Sequence, residues 1–233
     1  MIAAAYVLLT AVLLITRLVG LDRDLGSDEI VTIRDYVDAG PGKILVGDYV
    51  PNNHQLFSLL GWLTTVTVSG ADAAIRLWSA IPFVAGAVLG AVWLHRRVGA
   101  LTGVTYLYLT TVSPFLLDLS RQARGYGLAF LAMTVLVVSA LEARRTCHRG
   151  WVASFSVAGV LGTWTLPHVA IAFGATAVPL LLDPRLRRPT ASLLGAACAA
   201  TLVWYGPHLR AILVSFRQDY AAPIDTAWLI TAP

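Results

Sequence analysis

The chain is poor in charge. Aspartate, glutamate, lysine and arginine make up 13% of its 233 residues, against about 25% in an average soluble domain. So few charged side chains leave a globule of this size uncovered, which argues against a soluble enzyme and against a disordered chain. Lysine is almost missing, with Lys43 alone beside 16 arginines. Cysteine is scarce as well. Cys147 lies in a basic stretch and Cys198 in an apolar run, so neither a disulfide scaffold nor a metal pair is indicated. HExxH, CxxC and EF-hand spacings are absent, and so are repeats, low-complexity tracts and linkers.

Apolar side chains are what the sequence has in excess: 57% are hydrophobic, and the mean hydropathy is +0.71. A membrane-spanning helix takes ~20 residues, so the length suits an all-α bundle of seven or eight spans with little soluble machinery. The net charge of +4 then reads as arginines flanking membrane segments, not as a nucleic-acid surface. Residues 1–16 are uncharged and continue through Arg17 to Leu21. They have no basic leader and no clear cleavage site, which predicts a retained first span. Further uncharged runs cover 77–94, 98–117, 125–141, 150–182 and 189–209. The run 150–182 is too long for one helix, and Pro167–His168 is the expected turn within it.

The segment 55–69 carries Leu56, Leu59, Leu60, Leu63 and Val66 at helical spacing, with Ser58, Gly61, Thr65 and Ser69 off that stripe. This one-sidedness suits a helix lying at the interface better than one crossing it. Seven spans result, with the localisation of a multi-pass protein of the cell membrane. Three short basic loops (Arg96/Arg97; Arg144/Arg145/Arg149; Arg185/Arg187/Arg188) then fall on the cytoplasmic side. The opposite side receives 11 of the 13 acids, including Asp48, Asp219 and Asp225, while Glu142 and Asp183 stay inside. The spans themselves hold almost no charge, which weakens the case for a pump or ion-coupled transporter.

Chemistry is expected in the loop 22–54, which holds seven acids and three bases. Ser27 or Asp28 can cap a short helix starting near Glu29, with Ile30, Ile33 and Val37 on its apolar face. Asp28 and Glu29 then have two readings. They are first-turn acids favoured by the helix dipole, or one of them is a general base that takes the proton of a hydroxyl or amine acceptor attacking a sugar. Adjacent helical residues point about 100° apart, so only one of the pair is expected to face the site. A divalent metal on the pair is weakly specified. The loop closes on VPNNHQLF, where Pro51 and the asparagines mark a turn and His54 either contacts substrate or caps that turn. Further on, SPFLLDLSRQARGYG places Arg121 and Arg124 on the acidic side, where the charge rule does not ask for them. They either pair with Asp118 or lipid headgroups, or bind the phosphate of a lipid-linked substrate, as does Arg76 at the start of the next span. Tyr126 can assist by hydrogen bonding or packing.

In these residues the sequence resembles the polytopic glycosyltransferases of the GT-C superfamily, closest to the protein O-mannosyltransferase and aminoarabinose transferase type (glycosyltransferase family 39-like). The likeness rests on the pair Asp28–Glu29 after the first span and on HQLF, where the family commonly has HPPL. It is completed by SPFLLDLSRQARGY, where the family has SPF…SQEARGY. The resemblance implies a polyprenyl-phosphate sugar as donor, an extracytoplasmic site and an inverting displacement. It makes Asp28 the base with Glu29 beside it, puts His54 at the substrate pocket, and makes Arg124, Arg76 and Arg121 phosphate ligands. Family members run to twice this length or more. The expectation is therefore a single transmembrane domain over 1–233 that is the N-terminal catalytic portion of such an enzyme. Its catalytic loop spans 22–69, and a C-terminal half or partner subunit would complete it. The competing readings are a non-enzymatic member that binds lipid-linked sugar or a partner, and a lipid-sugar flippase, for which only the Pro167 break speaks. Sugar and acceptor are left open.

Overall fold

The structure is a computed structural model that describes residues 2–47, 53–68, 72–210 and Val214. Asp48, Pro51, Asn52, Ser69, Asp219, Asp225 and the end of the chain at 229–233 lie outside the described residues. Every regular element among the described residues is helical: α1 (Ile2–Leu18), α2 (Ser27–Thr32), α3 (Pro41–Val46), α4 (Gln55–Thr65), α5 (Asp72–Arg97), α6 (Ala100–Val112), α7 (Pro114–Arg121), α8 (Tyr126–Thr146), α9 (Arg149–Thr165), α10 (Val169–Leu182) and α11 (Arg187–Tyr205). A π-helical turn, Ile33–Val37, continues α2, and a 3₁₀ turn, Gly206–His208, follows α11.

Two helices, α5 and α8, are long and apolar enough to cross a membrane. A third crossing exists if α6 and α7 count as one span, although they bend by 66°. The run 98–117, expected to be one helix, breaks because Ser113 takes an extended conformation and caps α7 through Leu116 N–H, with Pro114 at its first position. The run 150–182 divides at the expected place: α9 stops at Thr165, and α10 starts after Pro167–His168.

The core is built around α8, which packs along α5 on one side and α9 on the other. Gly127 N–H donates to Ser79 Oγ, and Trp93 Nε1–H donates to Glu142, so α5 and α8 run parallel. One apolar cluster joins α1, α5 and α6 through Leu13, Phe83 and Leu107. Another joins α8 to α11 through Leu136, Phe155, Phe173 and Leu180. Leu186, Ala143 and Val152 share that second cluster, so the basic turns α8–α9 and α10–α11 sit at one end, with the α5–α6 turn beside them through Arg97 and Glu142. The loop 22–47 and α4 cap the other end, where Ile33, Val37, Phe57, Ile75 and Ala123 form a third cluster.

The helix α4 is 11 residues long, about 16 Å at 1.5 Å per residue, half the hydrocarbon thickness of a bilayer. Its buried side is Gln55, Phe57, Ser58 and Gly61. The leucine stripe is half-buried at Leu56, Leu59 and Leu60 and exposed at Leu63 and Val66. The small and polar face is the packing face because it allows close approach to Val37 and Ile75 at Gly61.

Arg17 ends α1 fully buried. It donates to the carbonyls of Thr110 (2.6 Å) and Thr111 (2.9 Å) and lies over the Phe83 ring. Those carbonyls belong to the last turn of α6 and have no partner within their own helix. The side chain thereby joins the ends of two helices.

Candidate functional site

The site lies where the loop 22–47, the start of α4 and the segment between α7 and α8 meet. The α2 cap is Gly26, not Ser27 or Asp28 as the sequence suggested. Glu29 reaches back to Gly26 N–H at 2.9 Å, the backward half of a capping box. The same carboxylate accepts the Ala123 N–H at 2.5 Å and two bonds from Arg76, at 2.9 and 3.0 Å. Arg76 spends its other N–H groups on the carbonyls of Leu21, Arg23 and Asp24. The pair is sealed, with Arg76 0% and Glu29 3% exposed. Burial pushes the Glu29 pKa up, but the Arg76 hydrogen bonds, the Ala123 and Gly26 amides and the Arg76 charge outweigh it and hold the carboxyl below its ordinary range. The expected phosphate role of Arg76 does not match this arrangement, because all five of its N–H groups already meet protein oxygens. Glu29 and Arg76 act as a clasp that binds α2, α5 and the segment between α7 and α8 together.

Asp28 turns the other way. Its side chain is 57% exposed and accepts from Arg124 Nη1 at 2.8 Å, while the Arg124 side chain is 10% exposed. Arg124 also lies over the Tyr126 ring, 4.8 Å from its centroid, and its Nη2 stands 3.5 Å from His54 Nε2. His54 is buried, edge-on to Tyr126, and its Nδ1 accepts the Gly125 N–H at 2.8 Å. That bond puts the ring proton of neutral His54 on Nε2. Burial, then the charges of Arg124 and His168, push the His54 pKa down to about 3. His168 comes from the α9–α10 break, and the sequence had marked it only as part of a turn.

Two glycines let this segment close. A side chain at Gly125 would meet Thr165 and His54, and one at Gly127 would collide with the Ser79 carbonyl. The Arg-Gly-Tyr-Gly run therefore lets the backbone approach α4, α5 and α9 while Arg124 and Tyr126 project.

Arg121 is not part of this group. It reaches back to the Val19 carbonyl at the end of α1. Asp118 pairs with Arg23 at 3.5 Å and accepts from Gln122 at 2.7 Å. Of the two readings of Arg121, pairing with Asp118 is not seen, since Asp118 meets Arg23 and Gln122; the bond to Val19 uses one Nη2 N–H of Arg121. No three His, Cys, Asp or Glu side chains converge as metal ligands among the described residues. Asp28 and Glu29 diverge, and both Glu29 oxygens are taken, so the pair does not form a shared carboxylate site.

Two cavities flank α7. One, about 390 Å³, is polar and lined by Ser27, Asp28, Glu29, Asp118 and Gln122 among others. The other, about 330 Å³, is apolar and lined by Leu116, Leu119, Tyr126, Phe130, His168 and neighbouring residues. The spacing in α7 explains the division: positions 118 and 122 face one cavity, 116 and 119 the other. Arg124 lines neither cavity but touches one residue of each, Asp28 of the polar one and Tyr126 of the apolar one.

The described chain is thus an all-helical protein with two to three helices able to cross a membrane. In comparisons with known proteins, no family model, no curated protein and no solved structure matches it.

Proposed function

We propose that the chain is an integral membrane glycosyltransferase of the GT-C type, or its N-terminal catalytic portion. In this reading it moves a sugar from a polyprenyl-phosphate donor to an acceptor at the acid-rich end of the bundle. The observation that carries the reading is Arg124, which joins an accessible carboxylate in a polar cavity to an aromatic wall of an apolar one. An amphiphilic substrate with a phosphate between a sugar and an isoprenoid chain has the same order of polarity. The motifs around Asp28, His54 and Arg124 support the same class.

The membrane part of the proposal takes α1, α5, α6, α8, α9, α10 and α11 as seven spans, with the arginine turns cytoplasmic and the site extracytoplasmic. Large apolar side chains exposed along these helices support it, among them Val7, Leu101, Ile171, Leu182 and Val203.

In the proposed reaction the acceptor oxygen or nitrogen attacks the anomeric carbon while Asp28 takes its proton. The bond from that carbon to the phosphate oxygen breaks, and its electron pair leaves on the polyprenyl phosphate. Arg124 and the Nε2–H of His54 present donors side by side for the phosphate oxygens. His54 does so as a neutral ring, which leaves the cationic role to Arg124. A single displacement inverts the anomeric centre. Tyr126 keeps the Arg124 plane in place, and the isoprenoid chain lies along the apolar cavity.

The test is sugar transfer by the full chain in proteoliposomes supplied with polyprenyl-phosphate sugars. Asp28→Asn should lower turnover by ~10²–10⁴-fold, the usual range for a general base, with insertion unchanged and the protein still folded at the assay temperature. Arg124→Ala should raise the KM for the donor. Full activity in Asp28→Asn removes Asp28 as the base, and an unaltered donor dependence in Arg124→Ala removes the phosphate role.

A further inference from the structure

The other end of the bundle holds a cavity that the proposed reaction does not use. It has a volume of about 330 Å³ and opens between α5 and α9, with α8 as its floor. Its interior is mainly apolar, formed by Leu89, Val92, Val135 and Val138, with Ser139, Ser154 and Glu142 also on the lining and Trp93 and Trp151 flanking it. Arg96 and Arg97 stand at its mouth. The lining residues recur at three- and four-residue steps in α5 and α8, so one continuous face of each helix is left open here.

The charge at the mouth is unbalanced. Glu142, 2% exposed, is the buried carboxylate of the region. It is already covered by Trp93 Nε1–H (2.8 Å), by two bonds from Arg97 (2.7 and 3.0 Å) and by Arg145 (3.0 Å). That network holds Trp93 and Arg97 upright and leaves Glu142 no capacity for a further cation. Arg96 is exposed and makes no ion pair among the described residues. Arg144 and Arg149 add positive charge at the neighbouring α8–α9 turn.

We infer that this cavity is a binding site for an anionic glycerophospholipid, with the phosphate at Arg96 and Arg97 and one acyl chain between α5 and α9. Charge complementarity selects an anionic headgroup, the apolar floor selects a chain, and the two indoles suit the boundary between them. The groove lies between helices that both pack on α8, so an occupant would brace α5 against α9. This inference is independent of the sugar-transfer reading, because it involves none of the residues in the Asp28–Arg124 group.

The test titrates the detergent-solubilised full chain separately with dioleoylphosphatidylglycerol, dioleoylphosphatidylcholine and inorganic phosphate. Tryptophan fluorescence and the thermal midpoint are the readouts. Phosphatidylglycerol should bind saturably and raise the midpoint, phosphatidylcholine should bind at least about fivefold more weakly, and inorganic phosphate should do neither. Arg96→Gln should weaken phosphatidylglycerol binding about fivefold, the effect of one arginine near a charged headgroup. Arg187→Gln, in another basic turn, should leave binding unchanged. Ser154→Phe, which fills the groove wall and spares the arginines, should abolish binding, whereas Ser154→Ala, which loses the same hydrogen bond from Ser139 (3.0 Å) without filling the groove, should keep it. Equal binding of the two lipids, or equal losses in Arg96→Gln and Arg187→Gln, would overturn the site in favour of general surface charge. Saturable binding of inorganic phosphate, or a neutral Ser154→Phe, would overturn the acyl-chain component.

Discussion

Adjacent acids with opposite consequences are the sharpest test of the site. Glu29→Gln keeps shape but removes the only carboxylate that meets Arg76 among the described residues, and it turns one oxygen that accepts backbone N–H into an NH₂ donor. Arg76 is then left fully buried with three carbonyl partners and no counter-charge. Breaking one side of a buried pair costs about 3–5 kcal/mol, against a total stability on the order of 5–15 kcal/mol. At about 1.4 kcal/mol per decade, that is at least a hundredfold change in the folding equilibrium. Asp28 is one residue away, but its side chain is 57% exposed while only its partner Arg124 is covered, at 10% exposed; such a half-exposed pair costs less to break than a sealed one. Asp28→Asn, which keeps an acceptor oxygen for Arg124, should therefore cost clearly less stability than Glu29→Gln while removing the proposed base. Denaturant unfolding of both variants in one detergent, followed by tryptophan fluorescence, measures the contrast. Glu29→Gln within about 1 kcal/mol of the parent, or Asp28→Asn as unstable as Glu29→Gln, would refute the assignment of clasp and site.

Two further expectations come from the same segment. His54 is held neutral with its pKa near 3, below the ordinary value of 6.5. The unfolded chain therefore binds more protons between those values, and stability should fall as pH drops below about 6.5; Glu29, also lowered, adds its own loss only below its ordinary 4.5. In His54→Gln the slope between pH 6.5 and 4.5 should flatten, and an unchanged slope would assign the effect to other groups. Gly127→Ala should destabilise the protein by about 1–3 kcal/mol or more, because the methyl meets the Ser79 backbone and not a movable side chain. A thermal midpoint equal to the parent's would show that α5 and α8 can separate at that point without loss.

The helical class, the Pro167–His168 break and the short helix at α4 were legible in the sequence, because each follows from local apolar spacing or from proline chemistry. The bend at Ser113–Pro114 carried the same proline signal but lay inside an uninterrupted apolar run, which hid it. The span lengths were less legible. An uncharged run sets an upper bound on a helix, whereas caps and breaks set its actual ends, so α6 is shorter than its run.

The sequence by itself determined where charge could go: arginines into three turns at one end, acids mainly into one loop, and a divergent pair at positions 28 and 29, because neighbours on a helix cannot share a face. Tertiary structure alone decided which member of that pair is exposed. The choice depends on Arg76, 47 residues further on, and on the Ala123 amide, 94 residues further on. Their N–H groups meet the Glu29 oxygens because α5 and the segment before α8 pack side by side, and desolvation makes that satisfied cluster the reason Arg76 can stay buried. The same packing directs Arg76 and Arg121 to structural carbonyls and leaves Arg124 beside Asp28, a division that residue type and spacing do not encode.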